Sequence, residues 1–274
     1  MKKLLLCCTI LFATSIASNA AVPETELHIG RFSAGDLAGW KEQTIWNAKK
    51  SSYSFVPNNG KKSLMGKSNS SASGLINKIE IDSKAYPIIK FSWKIDHTVK
   101  KGNERIKEGH DFAARLYVVF SRGFFSRTRA IEYVWGNVMR KGELLRSPYS
   151  SNVVMIAVDA GEELAGQWTS HKRNYYEDYR TAFGEEAPKV GAIAIMTDSD
   201  NTHENAIGYY GDISVLSAIK EDDTKAKGPK SKEAVPKEQP RQEQHPRDAI
   251  QKDQLNGSQT PAPPTLTPPA QPTP

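Results

Sequence analysis

Residues 88–95 read IIKFSWKI, and the fold follows from how that run alternates. Successive side chains of a strand point to opposite faces, so Ile89, Phe91, Trp93 and Ile95 share one side and Lys90, Ser92 and Lys94 the other. Such a strand has one dry face and one wet face. Similar runs stand at RLYVVF (115–120), IEYVW (131–135), VVMIAV (153–158), VGAIAIM (190–196) and YYGDISVL (209–216). Further candidates lie around 27–32, 53–56, 64–68 and 75–81. All are short, and Gly, Pro, Asn or Asp separates them. About ten such strands with little helical periodicity predict an all-β chain, an antiparallel β-sandwich of two packed sheets, and not alternating β and α layers.

One helix is predicted at 174–184, where NYYEDYRTAFG sets Asn174 as N-cap, Glu177 as its capping-box partner and Gly184 as the stop. Tyr175, Tyr179 and Phe183 recur every four residues, so they share a face that packs the helix on the sandwich.

Composition divides the 274 residues into three. Residues 1–20 open with Lys2 and Lys3, continue as an apolar run and close on small polar residues. These are the three parts of a secretory signal, and the run is too short for a membrane anchor. Residues 220–274 hold 11 of the 16 prolines and no aromatic residue. With so few large apolar side chains to offset the entropy of ordering, this segment is expected to be a disordered, charged and Pro-rich tail. Every Trp and Tyr lies within 21–219, the expected sandwich domain. A domain of that length buries roughly 70% of its chain surface.

These divisions exclude several kinds of function. Both cysteines, Cys7 and Cys8, fall in the expected signal, so the exported chain holds no thiol for disulfides, thiolate nucleophiles or Cys-ligated zinc. The net charge of +6 shrinks to 26 basic against 23 acidic residues over 21–219. That balance lacks the basic stripe of a nucleic-acid binder, so nucleic acid is not an expected partner. No later run is long and apolar enough to span a bilayer. The expectation is an exported protein, periplasmic or associated with the cell envelope.

HIGRFSAGDLAGWKEQ at 28–43 and AIGYYGDISVL at 206–216 resemble the first and last strands of galactose-binding-like jelly rolls, the fold of many carbohydrate-binding modules. The resemblance implies that these two strands lie close together. It also brings in a structural calcium near the terminal strands, with Asp36 and Asp212 among the candidates. GHDFAARLYVVF, IEYVWGN, SPYSSNVVMIAV, QWTSHKRNYYEDYRTAFGE and IAIMTDSDNTHENA together resemble a secreted bacterial family known as domain of unknown function 3047, over about residues 27–216. That family carries no established activity. Its GDD-type motif stands here as Gly109, His110 and Asp111, with His110 in place of one of the paired acids.

Three constellations carry the candidate chemistry. Asp111 and Arg115 stand where a loop enters a strand, and even spacing turns both to one face. A charge pair there orients a polar ligand or cements the loop. TDSDNTHEN at 197–205 supplies Asp198, Asp200, Asn201 and Glu204, oxygen donors suited to calcium. The EF-hand pattern fails, because His203 stands at its turn glycine and Tyr209 at its bidentate glutamate, and a turn rich in Asx hydrogen bonds accounts for the same residues. The metal candidates are therefore Asp198, Asp200, Asn201 and, through the jelly-roll resemblance, Asp212. Trp135 with Asn137, Trp168, Arg173 and the Tyr175/Tyr176 pair set aromatic faces beside hydrogen-bonding groups, the combination that sugars need. Against this, Ile131, Tyr133 and Trp135 share a strand face, and large aromatics are mostly buried.

No HExxH, GxSxG or phosphate-binding glycine loop is present. The favoured reading is a non-catalytic sandwich that binds a carbohydrate or another cell-envelope ligand. The alternatives are a glycan-active enzyme, with Asp111, Arg115 and Glu132 as its polar residues, and an envelope scaffold tethered by the tail. Two carboxylates in one open groove favour the enzyme; a shallow cleft floored by aromatics favours binding.

Overall fold

Strand alternation organises the computed structural model, which describes residues 25–121 and 128–218. The expected signal at 1–20 and tail at 220–274 lie outside the described residues. The strands run β1 (Glu26–Gly30), β2 (Trp40–Thr44), β3 (Ser52–Asn58), β4 (Lys61–Asn69), β5 (Ala72–Ile81), β6 (Ile88–Ile95) and β7 (Phe112–Phe120). They continue as β8 (Arg129–Gly136), β9 (Leu144–Ser147), β10 (Ser150–Ala160), β11 (Thr169–Asn174), β12 (Val190–Asp198), β13 (Asn205–Tyr210) and β14 (Ile213–Leu216), with helix α1 (Tyr175–Phe183) after β11.

These strands build two seven-stranded sheets. In the first, β11 pairs along one edge of β6, while β13 and β14 pair with its two halves on the other edge. Beyond them, β13 carries β4 and then β3, and β14 carries β1, so the first and last strands meet as expected. The second sheet has the order β2-β5-β12-β7-β8-β10-β9. All pairs are antiparallel except β8 with β10, which run parallel. The short β9 takes the chain back along the sheet, and β10 then inserts between β8 and β9.

The core lies between the sheets. Ile89, Phe91, Trp93 and Ile95 are buried, in one cluster with Leu116, Val118, Ile131, Tyr133, Trp135, Ile193 and Ile195 of the facing sheet. Phe91 stacks on Tyr133 with centroids 5.7 Å apart. Each such side chain contributes about 1.5–3 kcal/mol by leaving water. Helix α1 docks through the buried Tyr175 and Tyr179, with the Tyr179 ring 4.4 Å from that of Phe120. Asn174 Oδ1 accepts the Glu177 N–H at 3.1 Å. The Glu177 carboxylate turns to Arg180. Gly184, at φ 71°, donates its N–H to the Arg180 carbonyl at 2.8 Å and closes the helix.

Strands β2, β9 and β11 were not expected. Each sits at a sheet edge with one partner strand, so neither a full ladder nor two buried faces marks its sequence. The run expected at 209–216 breaks at Gly211 and Asp212 into β13 and β14. Gly211 donates to the Ser92 carbonyl at 2.9 Å, and a Cβ there would stand 2.1 Å from Ser92 Oγ. Among the described residues, no helix is long and apolar enough to cross a membrane.

Candidate functional site

Alternation along β7 sends Leu116 and Val118 into the core and Arg115 and Tyr117 to the outer face of the second sheet. In β8 the outward residues are Glu132 and Val134, and in β12 they are Ala194, Met196 and Asp198. Register then brings them together: Tyr117 pairs with Glu132, and Arg115 stands between Val134 and Met196. This outer face is not left to water. Phe112, Val134, Met139, Met155 and Ala157 form a second, smaller apolar cluster there, with Leu145 packed against it.

A cleft of about 400 Å³ opens beside that cluster. Ile45 and Trp46 from the β2–β3 loop and Tyr149 from the β9–β10 turn give it apolar surface, with Trp46 89% and Tyr149 53% exposed. Its polar lining is Arg115, Tyr117, Glu132 and Asp198 from the middle strands of the sheet, Ser147 and Ser150 from the facing ends of β9 and β10, and His110, Asp200 and Asn201 from the turns.

Arg115 is the centre of the buried polar network. Its Nη1 donates to Glu132 at 3.1 Å and its Nη2 to Asp198 Oδ2, and its guanidinium lies 4.7 Å from the centre of the Phe112 ring. Burial works against the Arg115 charge, but the carboxylates of Asp198 and Glu132 more than offset it and hold the group protonated. Burial pushes the Glu132 and Asp198 carboxyls up, against the pull of Arg115. Burial and the Arg115 charge push the His110 imidazole down to about 3, so the ring is neutral. Arginine can only donate, so His110 Nδ1, 3.4 Å from Arg115 Nη1, accepts. The ring proton then sits on Nε2, facing Ser147 Oγ at 3.4 Å.

Asp111, Asp198 and Asp200 each bring one carboxylate oxygen within 4.8 Å of the others. The expected ion pair between Asp111 and Arg115 is corrected. Asp111 precedes β7 and accepts the backbone N–H groups of Asn201 at 3.2 Å and Thr202 at 2.6 Å, while Arg115 takes Glu132 and Asp198 as partners. Asp111 thus anchors the 199–204 turn.

The other sequence candidates disperse. Trp135 is 1% exposed, donates to the Gly161 carbonyl at 2.9 Å and belongs to the core, so it is corrected from cleft to core. Asn137 braces a loop, accepting from Val99 N at 2.9 Å and donating to the Asp111 carbonyl at 2.8 Å. Arg173 ties β11 to α1 through Asp178 at 2.6 Å. Trp168 and Asp212 line a different groove, with Lys61, Lys62 and Lys90. Asp212 accepts from Ser33 N at 2.7 Å there, apart from the other metal candidates, and Asp36 Oδ1 caps its own turn at Ala38 N. Trp46, His110, Ser147 and Tyr149 were missed as cleft residues. The available signal was a large aromatic in a non-periodic stretch, as in TIWNAKK and SPYSS.

Solved structures similar to this chain include the K1 cleaved adhesin domain of Lys-gingipain from Porphyromonas gingivalis W83, at 12% identity and TM-score 0.37, covering 71% of this chain and 99% of that chain. A mannan-recognising carbohydrate-binding module, TmCBM27, is similar at 10% identity and TM-score 0.32, over 71% and 99%. The family 11 xylanase from Neocallimastix patriciarum is similar at 9% identity and TM-score 0.30, over 72% and 97%. Among curated proteins no relative matches. Residues 38–214, most of the described sandwich, match the model of the family described as protein of unknown function DUF3047, and the chain belongs to that family.

Proposed function

We propose that this domain is an exported, non-catalytic module that binds carbohydrate in the cleft on the outer face of the second sheet. One observation carries the reading: Trp46 and Tyr149 are exposed beside a floor of fixed hydrogen-bonding groups, Ser147, Ser150, Asp200 and Asn201. An aromatic ring covers the apolar face of a sugar, while hydroxyls and amides fix its polar edge. A volume of about 400 Å³ suits a small ligand or one unit of a longer one. The exported setting rests on the signal pattern of residues 1–20.

The enzyme reading needs two carboxylates that a bound glycan can reach. Glu132 and Asp198 do converge, but each is 1% exposed and both hold the same guanidinium. Asp200, half-buried, is the more accessible acid of the cleft. This balance favours binding.

The test is a glycan array with the full chain and its Trp46→Ala and Trp168→Ala variants. Binding lost in Trp46→Ala and kept in Trp168→Ala supports the cleft. The opposite pattern moves the site to the groove of Lys61 and Lys62, and silence across a broad array overturns the carbohydrate reading.

A further inference from the structure

We propose that Asp111, Asp198, Asp200 and Thr202 hold a hard divalent cation of the calcium type at the edge of the cleft. Asp198, Asp200 and Thr202 alternate along the chain, the spacing of the first three donors of a D-x-[DN]-x-[DN]-G cation loop. The next residue of that pattern is a glycine because the backbone turns there with positive φ. His203 makes the same turn at φ 60°, so the histidine that breaks the sequence pattern keeps its geometry. The distant glutamate of an EF-hand is missing, and Asp111 brings a carboxylate from the entry to β7 instead.

Two buried oxygen atoms mark the place, one of them, Thr202 Oγ1, outside the acid cluster. Asp198 gives Oδ2 to Arg115 and leaves Oδ1 without a hydrogen-bond partner, in a residue 1% exposed. Thr202, 6% exposed, leaves Oγ1 likewise unpartnered, while its N–H is held by Asp111. Buried polar atoms are almost always satisfied, and a cation satisfies oxygen lone pairs from both sides at once. Calcium ligands stand 2.3–2.6 Å from the ion, so opposite oxygens are about 5 Å apart. The three carboxylate oxygens, all within 4.8 Å of one another, fit that sphere.

Charge points the same way. Arg115 is shared by Glu132 and Asp198, Asp111 and Asp200 add two more carboxylates, and His110 is neutral. Asp111, Asp198 and Asp200 crowd three carboxylates together, and a positive ion among them would relieve their repulsion. The site is not a complete EF-hand: the Glu204 carbonyl accepts from Ser70 N and Ser199 Oγ and is not free for an ion. Water entering from the cleft beside Asp200 would complete the shell.

The experiment is calorimetric titration of the chelator-treated full chain with calcium chloride, with the melting temperature followed in parallel. The expected result is one site with Kd of about 10⁻⁵–10⁻³ M and a melting temperature that rises with calcium. Asp200→Asn should weaken binding at least about 10-fold, and Asp36→Asn should not change it. No saturable binding up to about 10 mM calcium, or binding that Asp200→Asn leaves intact, overturns the proposal. If Asp200→Asn fails to fold, terbium decides on the unaltered chain. With Tyr117 and Tyr149 lining the same cleft, tyrosine-sensitised emission displaced by calcium is expected, and its absence refutes the site.

Discussion

The side-chain amide of Asn201 donates to the hydroxyl of Tyr149 at 2.9 Å, and that hydroxyl in turn donates to the Lys107 carbonyl at 3.2 Å. One phenol therefore ties the turn after β12 to the turn before β10 beside the cleft. Tyr149→Phe keeps the ring and removes both bonds, each worth about 0.5–1.5 kcal/mol. Affinity for a glycan found on the array should fall about 2- to 10-fold, and Tyr149→Ala should cost more because the ring also leaves. Calorimetry checks this, and equal losses in the two variants would remove the ring from the contact.

Arg115 holds two buried acids, and a partner left alone in the interior is the expensive outcome. Arg115→Leu should lower unfolding stability by about 3–5 kcal/mol. Adding Glu132→Gln to that variant should recover part of the loss. Urea denaturation midpoints measure both, and a wild-type midpoint for Arg115→Leu would refute the central place given to the guanidinium.

The two tryptophans Trp46 and Trp135 should separate function from stability. Trp135→Ala empties a core position and should cost about 3–5 kcal/mol. Trp46→Ala alters a side chain already in water and should change stability by less than about 0.5 kcal/mol while abolishing glycan binding. Thermal melts of the two variants decide between these outcomes.

Asp159 predicts an acid limb. Burial pushes its carboxyl up, but hydrogen bonds from His171, Thr169 and Trp93 outweigh that and hold it at about 2, with Trp93 Nε1 donating from the facing sheet at 2.8 Å. The folded carboxyl thus ionises at lower pH than the unfolded one. Its contribution of about 2 kcal/mol is complete above about pH 4 and is lost as pH falls towards 2. Asp159→Asn should flatten that limb, and an unchanged stability profile between pH 4 and 2 would contradict the network.

The sandwich was legible because its signals are local. IIKFSWKI alternates, Asn174 and Gly184 bound one helix, and the aromatics of 21–219 supply the core. The edge strands escaped, since a strand such as TSHKRN with one partner keeps polar side chains on both faces. Trp135 shows the limit of parity. IEYVW places Ile131, Tyr133 and Trp135 together, yet β8 is buried on both faces, so alternation alone does not say which face meets the other sheet.

The residues themselves determined two layers of β-structure, one capped helix and a set of oxygen donors at 198–204, because alternation, capping and donor spacing act within a few residues. Only the tertiary structure decided which donors meet. Strand β12 inserts between β5 and β7, which precede it by many residues, and that order is set by packing between distant segments. It brings Asp198 to Arg115 and Glu132, places Asp111 beneath the 199–204 turn and opens the cleft under Trp46 and Tyr149. No stretch of sequence records such a meeting, because its energy arises from surfaces that exist only after the chain has folded.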